Sequence, residues 1–514
     1  MARTYVELVE EDGVVGPDDE RRPGLVDVVR RHPRRAAVTA AAVVVVAATA
    51  VLAQVVVDAR EQAWLARLAD VPGVLRPVDL PLRTLYVAEG DAASAVQGGV
   101  RAGDLLVGGT YRPVQSAPHV VAVDRRTGEV AWDVPVDLPP AADPEPVVQG
   151  GGPDPSANAW CSEVGGAPPR VACVVSRTYG WQMSEEGYGH ELATRGLVVL
   201  DATDGTVLSR RDEPLGAGIV AGRDGYWVTT VDDDRAGVEV VARAFDGSER
   251  WSTHVDTSAI PEQQTPYVLH DEERTVLDVG TQAWVLGPDG SAVAELARGG
   301  LNGGMTLVPG GVLVESYTSE GMPDGAVIWR DDGTTVDLGD DRQLYLTVDD
   351  GSRPDAFFLT AGDTGPLVRR DWSGKELWRA DVTVGSTAVL LDGTLVAVGG
   401  DRLAAVDADT GAVRWRTDMP RPADQVFTDG RVLLVLSGRV VRAYGVDDGT
   451  LQWSAALVED GRSTVLERTA TDAPTTDPGA VGTGGYDEGW WFVTTDGHLA
   501  FSSATEPSGI VVLG

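Results

Sequence analysis

A short motif recurs along this chain at a spacing near forty residues, and that spacing limits the folds open to it. In residues 405–415 (AVDADTGAVRW) two short alternating runs flank a polar turn, with Trp415 four residues past Gly411. The pattern is that of a β-hairpin, because glycine accepts the positive φ of a tight turn and the aspartates accept hydrogen bonds from turn amides. Equivalent glycines stand at Gly128, Gly205, Gly247, Gly290, Gly333, Gly374, Gly411 and Gly449, separated by 77, 42, 43, 43, 41, 37 and 38 residues. Tryptophan follows five of them at the same offset (Trp132, Trp251, Trp378, Trp415, Trp453), while Ser209, Ala294 and Asp337 stand at the other three. A unit of this length with four strand-like runs buries its faces only against neighbouring copies, as a propeller blade does.

Residues 122–132 (AVDRRTGEVAW) and 405–415 closely resemble the tryptophan-docking repeat of the pyrroloquinoline-quinone (PQQ) type β-propeller family, with weaker copies at 199–209 and 443–453. The resemblance runs from about Leu82 to the C-terminus. It implies four-stranded blades in which each tryptophan packs between adjacent blades, commonly eight of them. The family includes quinoprotein dehydrogenases, the non-catalytic lipoprotein propeller of the outer-membrane β-barrel assembly machinery, and membrane-anchored members without assigned activity. The expected fold is therefore an all-β propeller of eight blades, with seven or nine as alternatives, preceded by a transmembrane helix.

Read in order, residues 1–35 are polar and proline-containing and are expected to form a disordered cytoplasmic tail. Residues 36–57 then run for 22 positions without a charge, about 33 Å as a helix and enough to span a bilayer. Arg30, Arg31, Arg34 and Arg35 precede this run, so the positive-inside rule places the N-terminus in the cytoplasm and the propeller outside the membrane. A cleaved signal peptide ending near Ala48-Thr49-Ala50 is the alternative. Residues 58–81 read as a helical stalk and linker, with Pro72, Pro77 and Pro81 ending the helix. Residues 82–514 form the propeller, with an insertion at 138–195 that accounts for the long first interval. Within it lies an aromatic cluster on an otherwise polar loop: Tyr179, Trp181, Met183 and Tyr188. A second loop is expected at 472–485.

The formal charge of −36 disfavours nucleic acid and anionic lipid surfaces as partners. Both cysteines, Cys161 and Cys173, flank a Gly-Gly-Ala-Pro-Pro turn that brings them into register, and in an oxidising compartment they are expected to form a disulfide. They fit no zinc or haem spacing. Asp232-Asp233-Asp234 and the Asp407, Asp409 turn resemble calcium ligands only superficially, since no EF-hand loop follows. The six histidines show no metal-binding spacing, and Gly-x-Ser-x-Gly is absent.

Quinoprotein dehydrogenases of the resembled family carry adjacent cysteines and a calcium site, and this chain has no Cys-Cys pair. The reading is a non-catalytic interaction or scaffold module of the bacterial envelope, without cofactor or metal. Its expected partners are the membrane, through its anchor, and envelope proteins, through Tyr179, Trp181, Met183 and Tyr188. A PQQ-dependent dehydrogenase or small-ligand propeller is the alternative.

Overall fold

The computed structural model describes residues 62–514 apart from 138–155, 165–167, 184–188, 215–216, 258–259, 261–264, 272–273, 281, 298–301, 318–322, 362–364, 386, 461–462, 470–489 and 504–508, together with residues 49, 54, 55, 59 and 60. The chain separates into two compact units, Met1–Arg67 and Leu68–Gly514. The expected tail, most of the 36–57 span and the loop at 472–485 lie outside the described residues. Among the described residues no helix is long and apolar enough to cross a membrane.

The second unit is built from four-stranded antiparallel blades, two of them extended to five strands and the last two joined in one nine-stranded sheet. The middle strands of each sheet are apolar almost without interruption, as in Thr394–Gly399 (TLVAVG) and Val432–Ser437 (VLLVLS), because both faces are covered by neighbouring sheets. The last strand of a sheet alternates instead, as in Val413–Asp418 (VRWRTD), with Trp415 turned inward and the arginines outward. The hydrophobic core lies between sheets. One such layer joins Phe358 and Leu367 to Leu390, Leu395 and Val406 of the next sheet, and another joins Val121 and Leu106 to Ala500 and Val512.

Among the described residues there are nine blades, where eight were favoured and seven or nine were the alternatives. The first runs Val100–Ala102, Leu105–Gly109, His119–Asp124 and Val130–Pro135. Seven more follow in sequence, each closed by one of the turn glycines. The ninth consists of Trp490–Thr495, His498–Ser503 and Gly509–Leu513, and takes Leu82–Glu89 as its outermost strand. The two ends of the chain thus share one sheet. Counting turns misses this blade because its outer strand arrives from the N-terminus with no turn before it.

Two blades gain an extra inner strand. Tyr111–Pro113 pairs with Ser156–Val164 of the second blade, and Tyr345–Asp349 pairs in parallel with Thr387–Leu391 of the seventh. Leu68, Val74, Leu75 and Val78, in the segment read as stalk and linker, are buried. Leu75 and Val78 join the core between the eighth and ninth blades.

Candidate interaction site

The turn glycines and tryptophans meet between blades. The Trp132, Trp378 and Trp415 indole N–H groups donate to the carbonyls of Ala202, Ala408 and Val446 in the following blade, at 3.1, 2.9 and 2.9 Å. All eight turn glycines have positive φ. At Gly411 a Cβ would stand 2.7 Å from the Trp378 ring, so the position needs glycine for space as well as for conformation. Trp251 lies against Gly290 in the same way. Ser209, where the motif lacks tryptophan, sends its hydroxyl to the Phe245 carbonyl at 3.1 Å. Trp453 is buried among Leu457, Phe501 and Leu513, facing a blade that has no such turn. The closing blade uses Tyr86, whose ring lies against Gly128, a residue that no repeat signal marks because its strand is detached from its blade in sequence.

The second blade carries the insertion. Cys161 and Cys173 are direct partners in the pairing of Ser156–Val164 with Arg170–Met183, and they form a disulfide. The segment read as a polar loop is a ladder instead. Arg170–Met183 and Gly189–Asp201, 14 and 13 residues long, stay paired to Met183↔Gly189. Among the described residues the neighbouring strands pair as far as Thr178 on one side and Gly196 on the other, while the hairpin itself continues to Met183 and Gly189 as an arm. Tyr179, Trp181 and Met183 are on this arm, and Tyr188 lies outside the described residues. Tyr179, Trp181 and Met183 alternate with Gly180 and Gln182 at the period of a strand, a signal that the reading as a polar loop passed over.

Ring closure gathers charge at one place. Asp496, in the turn between the first two strands of the ninth blade, pairs with Arg76 at 2.7 Å, with Arg125 of the first blade, and more distantly with Arg101 at 3.9 Å. Its side chain is only 4% exposed. Asp429 is wholly buried and accepts the backbone N–H groups of Val78, Arg431 and Val432. Both carboxylates hold the 68–81 segment to the last two blades. Elsewhere, Asp91, His119 and Asp133 lie close enough to share a cation. Asp91 is already paired with Arg112, however, and His119 Nδ1 is 2.5 Å from the Asp133 carboxylate, so both contacts are satisfied without one.

The turn aspartates give the repeat a pH dependence. The Arg414 guanidinium, with Thr410, holds Asp407 down to about 2. Amide and hydroxyl donors of their own turns lower Asp124, Asp204, Asp246, Asp289, Asp332, Asp371 and Asp448. Their folded-state values lie below the unfolded value of 3.8, so the stabilisation is complete above about pH 4 and is lost as pH falls through the folded values. The midpoint of thermal unfolding is expected to decline progressively from about pH 4 towards pH 2, and less steeply in Asp407→Asn. A midpoint unchanged down to about pH 2 in the native chain would contradict this role for the turns.

The fold is a β-propeller of four-stranded blades, and part of it matches a PQQ-type family model. Residues 363–499, from the sixth blade into the ninth, match the family model described as outer membrane protein assembly factor BamB. No curated protein matches the chain. Similar solved structures include BamB from Moraxella catarrhalis, at 12% identity over 84% of this chain and 99% of that one, with a TM-score of 0.34. Apo AztD from Citrobacter koseri is similar at 15% identity over 62% and 88%, with a TM-score of 0.32. A europium-containing methanol dehydrogenase is similar at 10% identity over 76% and 87%, with a TM-score of 0.35. At these values none of the three lends this chain a ligand, a partner or a reaction.

Proposed function

We propose that this protein is a non-catalytic interaction propeller of the bacterial cell envelope, anchored by residues 36–57 with its blades outside the membrane, and that it docks envelope proteins through the arm of the second blade. The arm is the observation that carries this reading. A two-stranded hairpin contributes little stability of its own. The blades pair without its outer part, and Tyr179, Trp181 and Met183 are on the stretch where the hairpin strands pair with each other beyond Thr178. Aromatic residues on such an element bury large area at small entropic cost when a partner arrives. The uncharged span and its arginine flank support the anchor, and the family match supports a propeller of the envelope-assembly kind.

A membrane-impermeant crosslinker applied to intact cells tests side and partner together. The native chain is expected to capture neighbouring proteins, and a variant lacking 179–188 is expected to lose those adducts while keeping its thermal midpoint. Adducts that survive the deletion would move the docking site to the propeller faces. Adducts formed only by a permeant reagent would reverse the orientation.

A further inference from the structure

Large exposed hydrophobic side chains of the blades sort by position. The aliphatic ones, among them Leu85, Val130, Val207, Val413 and Leu451, are on outermost strands. The aromatic ones, Tyr111, Trp160, Tyr267 and Tyr345, are on the first strand of a blade or on a strand added inside it. Two of these belong to one blade. Tyr111 is the direct cross-strand partner of Asn158, and Trp160 is two residues further along the same strand, so all three side chains leave one face of the second blade's inner edge. Ala159, between Asn158 and Trp160, and Cys161, just past Trp160, turn to the opposite face and pack toward the first blade. Tyr111 and Trp160 are 63% and 70% exposed, and diagonal neighbours of this kind have Cα atoms about 7–8 Å apart.

From this arrangement we infer that the inner edge of the second blade binds a neutral glycan chain, with Tyr111 and Trp160 stacking on successive sugar rings and Asn158 bonding to their hydroxyls. Three observations select this occupant. Flat aromatic faces held open to solvent on a rigid sheet match the C–H faces of pyranose rings and lose little entropy on contact. Asn158 Oδ1 is covered and has no hydrogen-bond partner; a modest turn of its amide gives that acceptor a hydroxyl donor. Tyr111, Asn158 and Trp160 are themselves uncharged and the adjacent Arg112 is paired with Asp91, whereas the protein as a whole carries −36. An anionic polymer is repelled by that field, and a cationic one finds no counter-charge at the patch.

The test titrates the full-length protein, in a detergent without a sugar head group, with chitohexaose and maltohexaose as neutral probes and a hexagalacturonate as the charged one. Saturable binding of at least one neutral probe is expected, weakened about tenfold by Trp160→Ala and by Tyr111→Ala. Both variants should unfold at the native temperature, since neither side chain is buried. The variant lacking 179–188 should still bind, which separates this site from the arm. The proposal falls if neither neutral probe binds up to about 10 mM, if the charged hexamer binds as tightly, or if the double variant Trp160→Ala, Tyr111→Ala binds like the native protein.

Discussion

A chain that begins at Asp91 is expected to fail to close its ring. Leu82–Glu89 is the outer strand of the ninth blade, paired from Glu89↔Gly509 to Thr84↔Leu513, and it also bridges to Ser463–Thr469 of the eighth through Leu82↔Leu466. Its loss uncovers the edge of Gly509–Leu513 and removes Tyr86 and Leu82 from two inter-blade cores. Burial of these two side chains alone is worth about 4 kcal/mol, against a total stability of roughly 5–15 kcal/mol for a folded domain. An exposed, hydrophobic strand edge is in addition a template for association. Size-exclusion chromatography should find the shortened chain aggregated and protease-sensitive, while a chain beginning at Leu68 stays monodisperse. A cooperative thermal transition within a few degrees of the native one would show that the ring closes without this strand.

Replacing Asp496 is expected to be the most damaging single change among the charged residues of the closure. Its carboxylate joins the 68–81 segment, the ninth blade and the first blade through Arg76 and Arg125. Arg125 is itself only 11% exposed, so removing Asp496 leaves a largely buried charge with only the longer contact to Asp104 at 3.6 Å, at a cost of about 3 kcal/mol. Asp496 also has φ 48°, in the left-handed region. Alanine adds about 1 kcal/mol for that conformation, whereas asparagine tolerates it. Asp496→Asn therefore isolates the charge, and Asp496→Ala should be the less stable of the two in chemical denaturation. If both unfold at the native denaturant midpoint, the cluster is a surface ion pair of little weight and the 68–81 segment is held by Leu75, Val78 and Asp429 instead.

The blade architecture was legible because it is local. A turn glycine with positive φ, an aspartate capping its amides and an inward tryptophan lie within eleven residues of each other at 405–415, and their spacing reports the blade. The pairing of Cys161 with Cys173 is local in the same sense, a hairpin register spanning 12 residues. The arm was legible only in part: Tyr179, Trp181 and Met183 keep the period of a strand, but their partners at 189–193 (GHELA) do not, so the pairing of the two emerges only in the fold.

What only the tertiary structure decided lies where distant segments meet. The ninth blade draws strands from residues 82–89 and 490–513, so neither segment alone carries the repeat, and Tyr86 takes the inter-blade position with no glycine turn before it. The edge formed by Tyr111, Asn158 and Trp160 joins residues that the sequence leaves on opposite sides of an insertion. Arg76, Arg125 and Asp496 are up to 420 positions apart. A hairpin is selected by turn chemistry and side-chain alternation that each short segment carries in itself, whereas ring closure is selected by the free energy of covering the last open edge. That edge exists only once the other blades have stacked.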